Sequence, residues 1–156
     1  MTDNIFHGKV PSKMIIGMVG NAAYSGNYAK NPFNFENMNT NFLEVTVDGH
    51  PVPDVALRPD YSNNDYVSSY LTLLDNEMGR KKGLIIKLNE YPDGYTLYLL
   101  DIESFLSRKI LSKSKSGHVR INASFASPLQ ETINVIVYAK FPEIISIDQS
   151  RNVIVQ

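Results

Sequence analysis

The chain has 156 residues, 43% of them hydrophobic and 20% charged, with a formal net charge of −1 and no cysteine. Folding at this length buries roughly 70% of the unfolded surface, so one domain with a sizeable core is expected. The near-zero charge argues against a dedicated nucleic-acid binder and leaves little repulsion to oppose self-association. The missing cysteine excludes disulfides, thiolate catalysis and cysteine-based zinc sites.

Residues 1–10 read as an N-terminal tail. Met1-Thr-Asp-Asn-Ile-Phe-His7 lacks the basic start and apolar run of a signal peptide, so secretion is not expected. No apolar run approaches the roughly 18 residues of a membrane span, so no membrane partner is expected either.

Lys13–Val19 is a short apolar run ending at Gly20-Asn21 and reads as a buried strand. Residues 20–41 form a long Asn-rich loop that carries Asn21, Asn27, Asn31, Asn34, Asn37, Asn39 and Asn41. Asparagine tolerates left-handed backbone and bonds its own main chain, so the loop is expected to be ordered. Tyr24, Tyr28, Phe33 and Phe35 punctuate it, and loops of this length are usually functional or interfacial.

Phe42–Val47 alternates, with Leu43, Val45 and Val47 on one apolar face. Asp48-Gly49 is a strong hairpin signal. The return segment 50–59 holds Pro51, Pro53 and Pro59, which confine it to an edge or to irregular structure. Tyr66–Leu74 is the best helix candidate, with Tyr66, Tyr70 and Leu73 or Leu74 on one face and Asn63, Asn64 or Asp65 as caps.

Leu84–Leu88 and Tyr95–Leu100 read as strands around the turn Tyr91-Pro-Asp-Gly94. Residues 101–111 read as a helical turn or loop. His118–Phe125 reads as an alternating strand and Thr132–Ala139 as a β-branched central strand, and Glu143–Ile147 with Arg151–Val155 closes the chain. About seven strands at short spacing, with one brief helix and no βαβ alternation, predict an all-β antiparallel sandwich or jelly roll in a single domain, 1–156.

No reactive constellation accompanies this pattern. His7, His50 and His118 lie far apart and read as surface residues, not as a metal site. Asp54, Asp60, Asp65, Asp101 and Glu103 show no acid/base spacing, and neither a Gly-x-Ser-x-Gly elbow nor a glycine-rich phosphate loop occurs. No cofactor, metal or catalytic residue is expected, and the chain does not read as an enzyme. The basic run Arg108–Arg120 offers at most weak nucleic-acid contact and reads as a solvated connection. Asn122-Ala-Ser124 matches a glycosylation sequon but falls in an expected strand of a chain without a secretory signal.

Several blocks taken together resemble one family. They are Pro11–Val19, Tyr28-Ala-Lys-Asn-Pro-Phe-Asn-Phe35, Val47-Asp-Gly49 followed by prolines, Arg58-Pro-Asp-Tyr61, Gly94–Leu97, Ile133–Ala139 and Asp148–Val153. In order and spacing, over roughly residues 8–156, they are similar to the C-terminal part of the capsid-protein-like family of Maverick/Polinton elements and adintoviruses. The resemblance implies the second jelly roll of a double jelly-roll capsid protein, self-associating (as a trimer in that family) or meeting other capsid chains. It implies residence in a virion or in the host nucleus or cytoplasm. Members of that family are much longer, so it also implies a fragment or a detached domain with an unpaired sheet edge.

Two readings follow. In the first, the chain is a structural assembly protein. Its Asn-rich loop, 20–41, and its proline-bearing edge, 50–59, would make the subunit contacts, with interface candidates Tyr28, Asn31, Pro32, Phe33, Asn34 and Phe35 and the hairpin turn Asp48-Gly49 as a further marked feature; the rings of Tyr28, Phe33 and Phe35 would anchor contacts or pack inside the domain. In the second, it is a monomeric β-sandwich that binds a carbohydrate or peptide on its loops.

Overall fold

A computed structural model describes residues 5–74, 86–103, 116–142, 145–147, 151 and 153–155. Among them the elements run β1 (Lys13–Gly20), α1 (Asn21–Tyr24), β2 (Thr40–Val47), β3 (His50–Pro51), α2 (Val67–Leu74), β4 (Leu97–Asp101), β5 (Val119–Phe125), β6 (Ile133–Lys140), β7 (Ile145–Ile147) and β8 (Val153–Val155). The named strands pair antiparallel throughout, as two three-stranded sheets, β4-β1-β6 and β3-β2-β5, and the hairpin β7-β8. The expectation of a mostly β, antiparallel fold holds.

Side-chain alternation explains how the two larger sheets meet. Met14 and Ile16 of β1 and Tyr98 and Leu100 of β4 share one buried cluster with Leu43, Val45 and Val47 of β2 and Val119 and Ile121 of β5. The sheets therefore pack face to face, and each such aliphatic side chain stabilises the fold by about 1.5–3 kcal/mol. The opposite face of the β4-β1 pair carries Ile15, Leu97 and Leu99, and α2 covers it.

The face expected for this helix, Tyr66, Tyr70 and Leu73, is the one that packs, together with Tyr61 and Tyr91. Tyr66 stacks on Tyr61 and Tyr91 at centroid distances of 5.5 and 6.1 Å, and Tyr70 meets Tyr91 edge-on at 5.6 Å. The buried phenols are paired. Tyr61 and Tyr98 share a hydroxyl–hydroxyl bond of 2.8 Å, Tyr91 donates to the Leu97 carbonyl and Tyr70 donates to that of Ile86.

Three sequence expectations need correction. Of the strand read at 84–88, none of the described residues 86–88 is strand. Ile86 offers its carbonyl to Tyr70, and Lys87 starts a run of turns in which its own carbonyl accepts from Glu90 and Tyr91. The apolar side chain of Ile86 packs on the tyrosine cluster instead of entering a sheet. The strand read as central, Thr132–Ala139, is among the described residues the outermost strand of its sheet, β6, with β1 on one side; the return segment 50–59 is the edge its prolines require, strand only at His50–Pro51 and irregular beyond, where Leu57 bridges Leu43 through two bonds of 2.9 Å.

The N-terminal segment is not a free tail from residue 5 onward. Lys9 bridges Ser116, the Ile5 N–H reaches the Val119 carbonyl, and Val10 is buried. Ile102 and Glu103 enter a helical turn; the rest of 104–111 lies outside the described residues.

Candidate functional site

The Asn-rich loop is built by its own side chains. Asn27, Asn31 and Asn37 each accept the N–H two residues on, from Ala29, Phe33 and Asn39, at 2.8–3.0 Å. These short-range bonds hold the main chain in a fixed path without regular structure. At the loop tip, Pro32 sits second in a turn closed by the Asn34 N–H on the Asn31 carbonyl at 3.2 Å. Proline presets φ there, so Phe33 is presented from a stiff turn. Asn34 donates its side-chain amide to Glu36 at 2.9 Å.

The aromatic candidates divide. Tyr28 and Phe33 point into solvent, Phe33 at 74% exposure. Phe35 is a packing residue. Its N–H donates to the Gly94 carbonyl at 2.9 Å, and its carbonyl accepts from Thr96 at 3.0 Å. Its ring lies over Gly17 of β1, where a Cβ would stand only 2.6 Å from the ring. The glycine is what lets the ring reach the sheet. Asn31, Pro32 and Asn34 shape the turn, and Tyr28 and Phe33 form the surface it presents.

Beside this loop lies an open groove of about 580 Å³, lined in part by Asn37, Asn39, Asp93, Ser127, Leu129 and Glu131. Its walls are tied across: Asn37 donates to the Pro92 carbonyl, Asn39 to Ser127 Oγ, and Lys30 pairs with Glu131 at 3.3 Å.

Asp48 and Gly49 form the two-residue turn between β2 and β3, with φ of 49° and 80°. Two positive φ values match the twist of the flanking strands. The turn also holds the start of β5: Asp48 accepts the His118 N–H at 2.8 Å and donates its own N–H to the His118 carbonyl at 3.0 Å.

His7, His50 and His118 are all exposed, and among the described residues no three His, Cys, Asp or Glu side chains converge on one point. Asp60 is held below the usual carboxylate range by side-chain bonds from Ser62 and then Asn63. Burial pushes the phenols of Tyr61, Tyr91 and Tyr98 well above the usual tyrosine range. The basic stretch 108–115 lies outside the described residues, and Asn122 of the sequon donates to Glu44 from within β5.

The sheet edges differ from one another. On β4, the outward Leu99 N–H is taken by Thr72 of α2 at 3.2 Å. β3 is two residues long and contains Pro51. The start of β5 meets the N-terminal segment through Val119. β6 is eight residues long, and among the described residues no strand pairs with its outer edge. Val135 and Tyr138 on it are 46% and 69% exposed. Sequence reading did not single them out. The available signal was a run, 133–139, with neither proline nor charge.

Among the described residues no helix is long and apolar enough to cross a membrane. No family model and no solved structure matches the chain. An uncharacterised Caenorhabditis elegans protein is 26% identical to it over 161 residues, covering 98% of this chain and 38% of the worm protein. The chain thus spans well under half the length of that relative.

Proposed function

We propose that this chain is a structural assembly domain, a jelly-roll-type sandwich of a Maverick/Polinton-like capsid protein that works through protein–protein contacts and not through catalysis. The observation that carries the assembly reading is the pair of exposed rings, Tyr28 and Phe33, on a loop that its own asparagines and Pro32 hold rigid. Exposed aromatics on a stiff support bind a partner with little loss of conformational freedom. The jelly-roll element is supported by nested pairing across the sandwich, β1 with β6 outside β2 with β5. The capsid element rests on the sequence blocks that resemble that family.

The test is solution mass by size-exclusion chromatography with light scattering. The native chain is expected to self-associate, and Tyr28→Ala with Phe33→Ala is expected to reduce the mass while circular dichroism stays unchanged. A monomeric native chain, or a double variant of unchanged mass, counts against the reading. A second reading, a monomeric module for a carbohydrate or peptide, is favoured by the amide-rich groove beside the loop. It predicts a monomer with a saturable ligand, abolished by Asn37→Ala.

A further inference from the structure

The hydrogen-bonding direction along β6 can be read residue by residue. The Lys140 carbonyl accepts the Ser12 N–H at 2.7 Å, and the Thr132 carbonyl accepts the Asn21 N–H at 2.9 Å. Ser12 and Asn21 flank β1, and the β1–β6 register runs without a shift from Lys13↔Lys140 to Gly20↔Ile133. In an antiparallel ladder the residues that bond a given neighbour alternate. The even-numbered residues of β6 therefore bond toward β1. Ile133, Val135, Val137 and Ala139 aim their N–H and C=O groups away from it.

Natural sheets blunt such an edge with proline, charge, a bulge or a covering element. The chain does so elsewhere, with Thr72 and α2 on β4 and with Pro51 on β3. Residues 133–139 carry neither proline nor charge, and among the described residues no strand pairs with their outer edge. The edge is apolar on its core side and carries Asn134 beside Ile136 and Tyr138 on the other. Val135 and Val137 lie on the core side with Met18 and Ile16 opposite them in β1, yet Val135 is 46% exposed; Ile136 and Tyr138 lie on the other side.

We propose that β6 pairs antiparallel with β6 of a second copy of this chain, across a twofold axis at Ile136. This deepens the assembly reading, on which it rests, by naming a partner and a surface separate from the Tyr28–Phe33 loop. A continuous sheet requires that facing residues share a face, so only registers that pair odd with odd are allowed. Centring on Ile136 sets Ile133 against Ala139 and Val135 against Val137. Every outward N–H and C=O of the strand then finds a partner. Tyr138 faces Asn134, and Ile136 faces its own symmetry mate. The only charge of the strand, Lys140, falls outside the paired stretch, so no like charges oppose each other, and the net charge of −1 adds little long-range repulsion. Centring on Val137 instead would leave the outward groups of Ile133 beyond the facing strand and draw Lys140 inside. The chemistry of the edge thus matches a strand like itself.

The test uses the full chain. Because there is no native cysteine, Ile136→Cys places one thiol on the proposed axis, where facing Cα atoms would lie about 4.5–5.5 Å apart, within disulfide reach. Mild oxidation is expected to give a covalent dimer quickly, while Leu71→Cys, exposed on α2 beside β4 at the other edge of the sheet, is expected not to.

Val135→Lys, which sets a charge inside the paired edge, and Val135→Pro, which removes an outward N–H, are each expected to convert a dimeric species to monomer with the circular dichroism spectrum retained. Should Val135→Pro misfold, Val135→Lys and the crosslink decide. A native chain that stays monomeric at high concentration overturns both this proposal and the assembly reading. A native oligomer that resists Val135→Lys and does not crosslink at position 136 overturns the β6 pairing alone, and dissociation of that same oligomer by Tyr28→Ala with Phe33→Ala places the contact in the loop.

Discussion

One added methyl group at Gly17 tests the clamp between the Asn-rich loop and the sheet. Gly17 stands inside β1, opposite Leu97 of β4 and Ile136 of β6. Replacing glycine by alanine at an ordinary strand position stabilises by about 0.5–1 kcal/mol, because the unfolded chain loses freedom. Here the new Cβ would stand 2.6 and 3.1 Å from Cδ1 and Cε1 of Phe35 and 2.9 Å from Cδ2 of Leu97. The Leu97 methyl can rotate aside. The Phe35 ring has less freedom, because its backbone is bonded on both sides, to Gly94 and Thr96.

Overpacking costs about 1–3 kcal/mol, and with the ring tethered the upper part of that range, about 2–3 kcal/mol, applies, which leaves a net loss of about 1–2 kcal/mol after the backbone gain. For a domain of this size that is a fall of about 2–8 °C in Tm. Urea unfolding followed by circular dichroism is the assay. Phe35→Ala in the Gly17→Ala background makes room for the methyl, so the double variant should be more stable than the sum of the two single losses, with a coupling of about 0.5–3 kcal/mol. Gly17→Ala that matches or exceeds the native stability, or losses that simply add, would refute the clamp.

Two further predictions concern the frame that holds the loop. Tyr61, Tyr91 and Tyr98 keep their protons above the ordinary tyrosine value, chiefly through burial. Their folded pKa values exceed the unfolded value of about 10, so the stability they supply is complete below that pH and is lost as pH climbs above it. The denaturant midpoint should fall as pH rises past that value, and tyrosinate absorbance from these rings should appear together with unfolding; a constant midpoint there would contradict the burial of these phenols. At the β2–β3 turn, Gly49→Ala meets open space but has to adopt φ near 80°. It should lose about 1–2 kcal/mol, whereas Gly49→Asn should lose less; equal losses in thermal unfolding would show that the positive φ is not the cause.

Much of the local structure was legible in the sequence. The alternation in Phe42–Val47 does place Leu43, Val45 and Val47 in the core, the 66–74 periodicity does place Tyr66 and Leu73 inward, and Asp48-Gly49 does turn the chain. The asparagines of residues 20–41 order their loop through bonds to the N–H two residues on. Each of these outcomes depends on sterics or hydrogen bonds within a few residues, so the sequence by itself determined them.

Tertiary structure decided the rest. Phe33 and Phe35 are two residues apart and alike in chemistry, yet one faces solvent and the other packs on Gly17, because only Phe35 lies within reach of the gap that the glycine leaves in a distant strand. Ile86 reads as strand by composition but serves the tyrosine cluster under α2. The open edge of β6 follows from which strands pair: β1 takes one side of it, α2 seals β4, and nothing local to residues 133–140 records either choice. Pairings across many tens of residues are selected by the packing of whole faces, and no window of a few residues contains that information.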